Sequence, residues 1–246
     1  MLVLAKVALA PLLLWQGARV RRTALKLPEA AGPRSGVAGS GGLKLRLLIV
    51  GDSSGAGVGA ATQSEALAGR LSAALAERLG GSVHWQLLAR TGNRTADSLQ
   101  QLRDASSLEP ADVMVTALGV NDAVGQVSAS LWTRQLAELH QLAVARLGVR
   151  YSLHSAVPPM HAFPLLPQPL RWLLGAQAMR LNRALVRDLA DSKDRGVQAA
   201  PVNLHLSGGA AALMAPDGFH PNPAGYKLWA DALAERIAAQ ITLSSR

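Results

Sequence analysis

Short apolar runs alternate with longer amphipathic stretches along most of the chain. Near-continuous apolar runs of this length are typical of parallel strands, because both faces of a parallel sheet are covered. The predicted strands are Leu45–Val50, Val83–Leu88, Val113–Leu118, Val149–Ala156 and Val197–Leu204. The predicted helices are Glu65–Leu79, Thr95–Arg103, Ala129–Leu147, Leu170–Ala190 and Pro223–Ile241. This alternation predicts an α/β domain whose functional side chains lie at the carboxyl ends of the strands.

The segment GDSSGAGVGA, residues 51–60, directly follows the first predicted strand. Closely spaced glycines after a buried strand indicate a sharp turn with outward-pointing N–H groups, which suits phosphate binding or acyl attack. Gly55, Gly57 and Ala60 fit the loose dinucleotide pattern G-x-G-x-x-G/A. The next predicted strand, however, is followed by Ala-Arg-Thr at 89–91, which lacks the carboxylate that would hold a ribose. Dinucleotide binding is therefore kept only as a remote alternative.

Further candidate residues follow later strands or lie near the C-terminus. Gly92 lies in ARTGNRTADSL, Asn121 follows the third predicted strand, and Asp217 precedes His220 by three residues in APDGFHPNPAGY. Taken with Ser53, the Ser, Gly, Asn and His residues occur in an order and placement that resembles the SGNH hydrolase family, the GDSL-type esterases and lipases. The resemblance extends from the first predicted strand to the C-terminus.

The resemblance implies a catalytic role for each of these residues. Ser53 would be the nucleophile, His220 its base and Asp217 the group that orients the imidazole, since a serine hydroxyl attacks poorly until a base takes its proton. The N–H groups of Ser53 and Gly92 and the side-chain amide of Asn121 would stabilise the oxyanion. The resemblance also implies a three-layer α/β/α, flavodoxin-like fold with a mostly parallel five-stranded sheet.

The predicted activity is hydrolysis of a small-molecule or lipid-derived carboxylic ester through an acyl-enzyme. An acyltransferase or a non-catalytic binding member of the same fold would carry the same residues, so both alternatives stay open. Taken singly, Ser53 could be a helix cap and Asn121 a turn residue. Ser54 also departs from the family, which often has leucine there. Without cysteine or a cluster of His and carboxylates at metal-ligand spacing, the sequence predicts neither a metal nor a cofactor.

The N-terminal segment, residues 1–27, differs from the predicted linker at 28–42 and the predicted hydrolase domain at 43–246. Its apolar run is interrupted by Lys6 and Pro11 and is shorter than the roughly 20 residues that span a bilayer. Basic residues follow the run, which favours a shallow membrane anchor on the cytoplasmic side. A helix packed on the domain is the alternative, and a secreted or periplasmic protein is left open.

The net charge of +9 is concentrated at the N-terminus, because residues 1–45 contain seven Lys and Arg against one Glu. The rest of the chain carries only +3 and few aromatic residues, so nucleic-acid binding is not predicted. No protein partner can be inferred. The proline-rich stretch at 155–179 is the predicted source of an apolar acyl groove, with a purely structural cover for the sheet edge as its alternative.

Overall fold

The computed structural model describes residues 2–163, 165–199 and 210–244, whose strands form one mixed sheet. The strands lie in the order β1-β3-β2-β4-β5-β6, with β1 antiparallel to β3 and every other pair parallel. Their bounds are β1 Ser35–Ala38, β2 Leu43–Gly51, β3 Ser82–Ala89, β4 Val113–Ala117, β5 Tyr151–Ser155 and β6 Arg195–Gln198. The predicted α/β class with a mostly parallel sheet is confirmed.

The sheet has six strands where the sequence predicts five. The additional strand is β1, which lies inside the segment predicted as a linker and pairs its Ser35 with Gln86 of β3. With only four half-exposed residues, β1 has no apolar run that a sequence pattern could detect. At the opposite edge, β6 begins two residues before the predicted strand 197–204, of which residues 200–204 lie outside the described residues.

Eight helices are found in the described part of the chain, and the five predicted from the pattern are among them. The prediction matches Ala129–Leu147 at both ends. The helix predicted to begin at Glu65 begins two residues later in the structure, at Leu67. Their bounds are α1 Leu2–Thr23, α2 Leu67–Leu79, α3 Thr95–Asp104, α4 Val120–Val124, α5 Ala129–Leu147, α6 Leu170–Asp188, α7 Ala210–Leu213 and α8 Pro223–Ser244.

The alternation of side chains along β2 divides the core between the two faces of the sheet. Leu47 and Ile49 pack into a cluster with α2 and α8, whereas Leu48 and Val50 pack into a second cluster with α3 and α5. The chain moves from β2 to β3 on one side and then crosses to β4 on the other. The gap between the carboxyl ends of β2 and β4 is therefore a topological switch point, where sheets of this class bind ligands.

Helix α1 packs on the domain, which is the alternative that the sequence analysis gives for the N-terminal segment. The helix continues through Pro11, and its Leu13 and Val20 lie against an apolar cluster that contains residues of α6. Leu14 and Trp15 remain exposed. Within the described ranges, no helix combines the length and the apolar character needed to cross a bilayer. Membrane contact stays a prediction.

Candidate active site

The turn after β2 is tightly packed, which accounts for its glycines. A Cβ on Gly55 would lie 2.7 Å from the Cα of Gly51, and Gly57 has a φ of +84°. Both positions exclude larger residues for reasons of packing or backbone conformation. The turn thus needs no bound phosphate to explain its composition, and it carries Ser53 at the carboxyl end of β2, beside the switch point.

Ser53, His220 and Asp217 form a continuous chain of hydrogen bonds although 164 residues separate the serine from the aspartate. His220 Nε2 lies 2.8 Å from Ser53 Oγ, and His220 Nδ1 lies 2.6 Å from Asp217 Oδ2. Because an ionised carboxylate can only accept, Nδ1 carries the proton and the neutral ring accepts the Ser53 hydroxyl hydrogen at Nε2. This is the tautomer in which a histidine can act as a base toward serine.

Asp217 is held in its ionised form although its side chain is only 3% exposed. Burial raises its pKa, but the His220 side chain and the backbone N–H groups of Phe219 and His220 donate to the carboxylate and bring the pKa below its ordinary value. The two backbone bonds measure 3.0 and 3.1 Å and fix Oδ1, so Oδ2 is directed at the imidazole. The carboxylate can therefore stabilise an imidazolium.

The predicted oxyanion donors lie on three separate segments, the turn after β2, the loop after β3 and the start of α4. Asn121 lines the cavity beside Ser53, and its Nδ2 donates one hydrogen to the carbonyl of Asn93 at 3.0 Å, which leaves the second hydrogen available. Among the described residues, nothing accepts a hydrogen bond from the N–H of Ser53 or of Gly92. Gly92 lies exposed with a φ of +88° in the loop that presents Asn93 to Asn121, but it does not line the cavity.

A buried network that the sequence does not reveal holds α4, and with it Asn121, in place. Asp122 accepts hydrogen bonds from Thr95 at both N–H and Oγ1, and Trp132 Nε1 donates to the same Thr95 hydroxyl at 3.0 Å. Burial raises the pKa of Asp122 despite the hydrogen bonds from Thr95. Asp122 follows Asn121 directly, and from sequence alone it resembles a turn residue, since its partners are 27 residues away along the chain.

Asp52, next to the candidate nucleophile, is a second carboxylate beneath the site. It is 2% exposed and accepts the N–H of Ser54 at 2.9 Å. Burial raises its pKa to about 6, against the lowering effects of the Ser54 N–H and of His220, and Asp122 adds to the rise. The pKa of an aspartate in an unfolded chain is about 3.9, so the folded state holds the Asp52 proton to a higher pH than the unfolded state does.

Asp52→Asn is therefore expected to flatten part of the pH dependence of stability. Between about pH 4 and pH 6 the wild type loses on the order of 3 kcal/mol of unfolding free energy through this group, because the unfolded state ionises first. The variant should match the wild type near pH 4 and exceed it above pH 6. Urea unfolding at a series of pH values measures the difference, and a difference that is constant with pH would contradict the assignment.

Ser53 and His220 open into a cavity of about 560 Å³, within the size range of small-molecule sites. The proline-rich stretch borders this cavity through Met160, Phe163 and Leu166, which also belong to a buried apolar cluster. The same side chains therefore cover the domain and line the cavity, and the role of this stretch as an acyl groove stays a prediction. The opposite wall comes from α1.

The α/β fold brings hydrogen-bonded Ser, His and Asp side chains together near the carboxyl ends of a mostly parallel sheet, an arrangement that serine hydrolases use. The family comparison agrees with this class and narrows it. Residues 49–228 match the model of the GDSL-like lipase/acylhydrolase family, and the chain belongs to that family. The family predicted from the four separate segments is thus confirmed.

Individual relatives are more distant. The chain is 28% identical over 197 residues to the GDSL-like esterase Rv1075c of Mycobacterium tuberculosis, a match that covers 77% of this chain and 60% of that protein. The lipase Lip_vut3 from a goat rumen metagenome superposes with a TM-score of 0.62 at 18% identity, over 80% of this chain and 98% of the lipase. Est24, a carbohydrate acetylesterase from Sinorhizobium meliloti, superposes with a TM-score of 0.59 at 19% identity, over 80% of this chain and 99% of the esterase. These two structures establish the shared fold.

Proposed function

We propose that the protein hydrolyses carboxylic esters through an acyl-enzyme formed on Ser53. The observation that carries the proposal is the hydrogen-bonded chain from Ser53 through His220 to Asp217. Ser53 Oγ attacks the ester carbonyl carbon while its proton moves to His220 Nε2. The tetrahedral intermediate collapses as His220 returns that proton to the departing alkoxide. Water, deprotonated by the same nitrogen, then releases the carboxylic acid and regenerates Ser53.

The negative oxygen of the tetrahedral intermediate needs preorganised donors. The Ser53 N–H is adjacent to the attacking atom, and the Asn121 amide is oriented by the Asn93 carbonyl. We assign Gly92 as the third donor, because its N–H has no acceptor in the described part of the chain and its loop carries Asn93.

Asn121→Ala is expected to lower kcat by about 10²- to 10³-fold with little change in KM, because the lost donor acts mainly on the transition state. Steady-state kinetics on an aryl ester measure the change. Asn93→Ser is a useful companion variant, since it keeps the backbone carbonyl that orients Asn121. A loss of less than threefold in Asn121→Ala would remove this residue from the mechanism.

The proposed substrates are esters with an apolar acyl group, including lipid-derived ones. The side chains that line the cavity are mainly apolar, with leucine the most frequent, and such a surface favours hydrocarbon over a sugar. Transfer of the acyl group to another alcohol would use the same residues, since an alcohol can replace water in the second step.

Hydrolysis of p-nitrophenyl butanoate by the purified protein is the direct test of the proposed activity. Steady release of nitrophenol together with butanoic acid supports hydrolysis. Product analysis in the presence of glycerol separates the two fates of the acyl-enzyme, because a transferase would form glyceryl butanoate in preference to the acid. A folded protein that releases no nitrophenol would contradict the proposal.

A further inference from the structure

Helix α1 lies outside the segment that matches the family, yet it contributes to the cavity of the candidate active site. Its contact with the domain is specific. Gln16 is 6% exposed, and its Nε2 donates to the carbonyl of Gln168 at 2.7 Å while its Oε1 accepts the N–H of Leu170 at 3.2 Å. Leu170 is the first residue of α6, so Gln16 satisfies one of the free amides at the start of that helix.

One face of α1 is directed at the cavity. The residues of α1 that line it recur at helical spacing, from Leu13 and Leu14 through Gly17 to Val20 and Arg21. Trp15 and Arg19 lie outside that stripe, are exposed, and stack against each other with the guanidinium 5.4 Å from the ring centre. The helix therefore has a cavity face and a solvent face.

The cavity face of α1 lies opposite apolar side chains of the domain. Phe163 and Leu166 of the proline-rich loop and Leu173 of α6 line the same cavity, which extends to Ser53 and His220. A cavity that is lined mainly by apolar side chains from a helix and a loop, and that also contains the candidate nucleophile, is suited to a hydrocarbon chain, because each methylene that leaves water contributes favourably to binding.

Gly17 leaves space in this wall. Among the described residues, no atom lies within 4 Å of a Cβ built on it, and its backbone does not require glycine. Because Gly17 lines the cavity, a larger side chain at this position would reduce the space next to the wall. Leucine also favours helix more than glycine does, so the substitution does not weaken α1.

We propose that α1 is the outer wall of an acyl-binding pocket, that the preferred substrates are esters of medium- and long-chain fatty acids, and that Gly17 sets the longest chain accepted. The inference rests on the proposed function for its catalytic step. It also predicts binding of the free fatty acid, which is independent of catalysis.

The test compares wild type, Gly17→Leu and Gly42→Leu on p-nitrophenyl butanoate, octanoate and dodecanoate. Gly42 is the matched control, because no described atom lies within 4 Å of a Cβ built on it. It lies in the turn before β2, at the amino-terminal end of that strand, and it does not line the cavity. In the wild type and the control, kcat/KM should rise from butanoate to octanoate by at least tenfold, given about fourfold for each fully buried methylene. In Gly17→Leu, the ratio of kcat/KM on dodecanoate to kcat/KM on butanoate should fall at least tenfold below the wild-type ratio.

A Gly17→Leu variant that loses activity equally on all three esters, or that keeps the wild-type chain-length profile, would overturn the proposal. So would a wild type that prefers butanoate. Calorimetric titration with dodecanoate provides the readout that needs no turnover. Binding to wild type that weakens at least tenfold in Gly17→Leu supports the pocket even if no ester is cleaved, in which case only the proposed function fails. Absence of binding together with hydrolysis of butanoate alone refutes the pocket and leaves the hydrolase intact.

Discussion

Ser53→Ala should reduce kcat/KM for ester hydrolysis by roughly 10⁴- to 10⁶-fold, the loss typical of removing the nucleophile from a serine–histidine–aspartate site. Ser53 Oγ is the atom that His220 Nε2 contacts at 2.8 Å, and alanine leaves the base without a proton to take. Since the side chain is small and half-buried, the variant should fold like the wild type. Kinetics on p-nitrophenyl butanoate, with circular dichroism to verify folding, measure the effect.

Ser54→Ala is the matched control for that experiment. Ser54 presents a second hydroxyl next to the first, but its observed hydrogen bond to Asp52 comes from the backbone N–H, which alanine retains. The control should keep most of the activity. Loss of activity in Ser54→Ala with retention in Ser53→Ala would transfer the nucleophile to the neighbouring residue and contradict the role assigned from the geometry.

Asp217→Asn should lower kcat by about 10⁴-fold while leaving the fold intact. The asparagine Oδ1 can still accept the N–H groups of Phe219 and His220, so the turn is preserved. Its Nδ2, however, would donate to His220 Nδ1 and force the ring proton onto Nε2, where the ring can no longer accept the hydrogen of Ser53. Burst-phase kinetics should show that acylation itself is slowed.

Asp231→Asn provides the matched control for Asp217→Asn, because Asp231 forms an ion pair with Lys227 on α8, where the lysine side chain is 63% exposed. The same substitution there should change neither kcat nor KM appreciably, since surface ion pairs contribute little. If kcat of Asp217→Asn fell by less than about tenfold, the Asp217 carboxylate would only stabilise the turn, and His220 would act as a base without it.

The candidate residues were predictable because each follows a clear signal along the chain. Ser53 comes at a glycine-rich break after an apolar run, and Asn121 follows the third predicted strand, which is β4 on the far side of the switch point. Asp217 and His220 share one turn. Parallel strands bring their carboxyl ends to one edge, so the topology alone places the first two residues together. The expectation for the fold needed only the same alternation.

Other features depend on contacts that no local pattern records. Strand β1, with only four residues, is too short to be detected, and it pairs with the open edge of β3. The position of α1 is decided by Gln16 reaching the start of α6, more than 150 residues away. The raised pKa of Asp52 likewise comes from burial under later elements. Such long-range contacts determine which face of α1 lines the cavity of the candidate active site.

Labelling with a fluorophosphonate, followed by intact mass and peptide mapping, tests the central claim most directly. The reagent bonds only to an activated serine, so it reports on Ser53, His220 and Asp217 together and requires no choice of substrate. We expect one adduct per chain, on Ser53, that is absent from Ser53→Ala and strongly slowed in Asp217→Asn. A folded wild-type protein that stays unlabelled, or that is labelled on another serine, would contradict the assignment of Ser53 as the nucleophile.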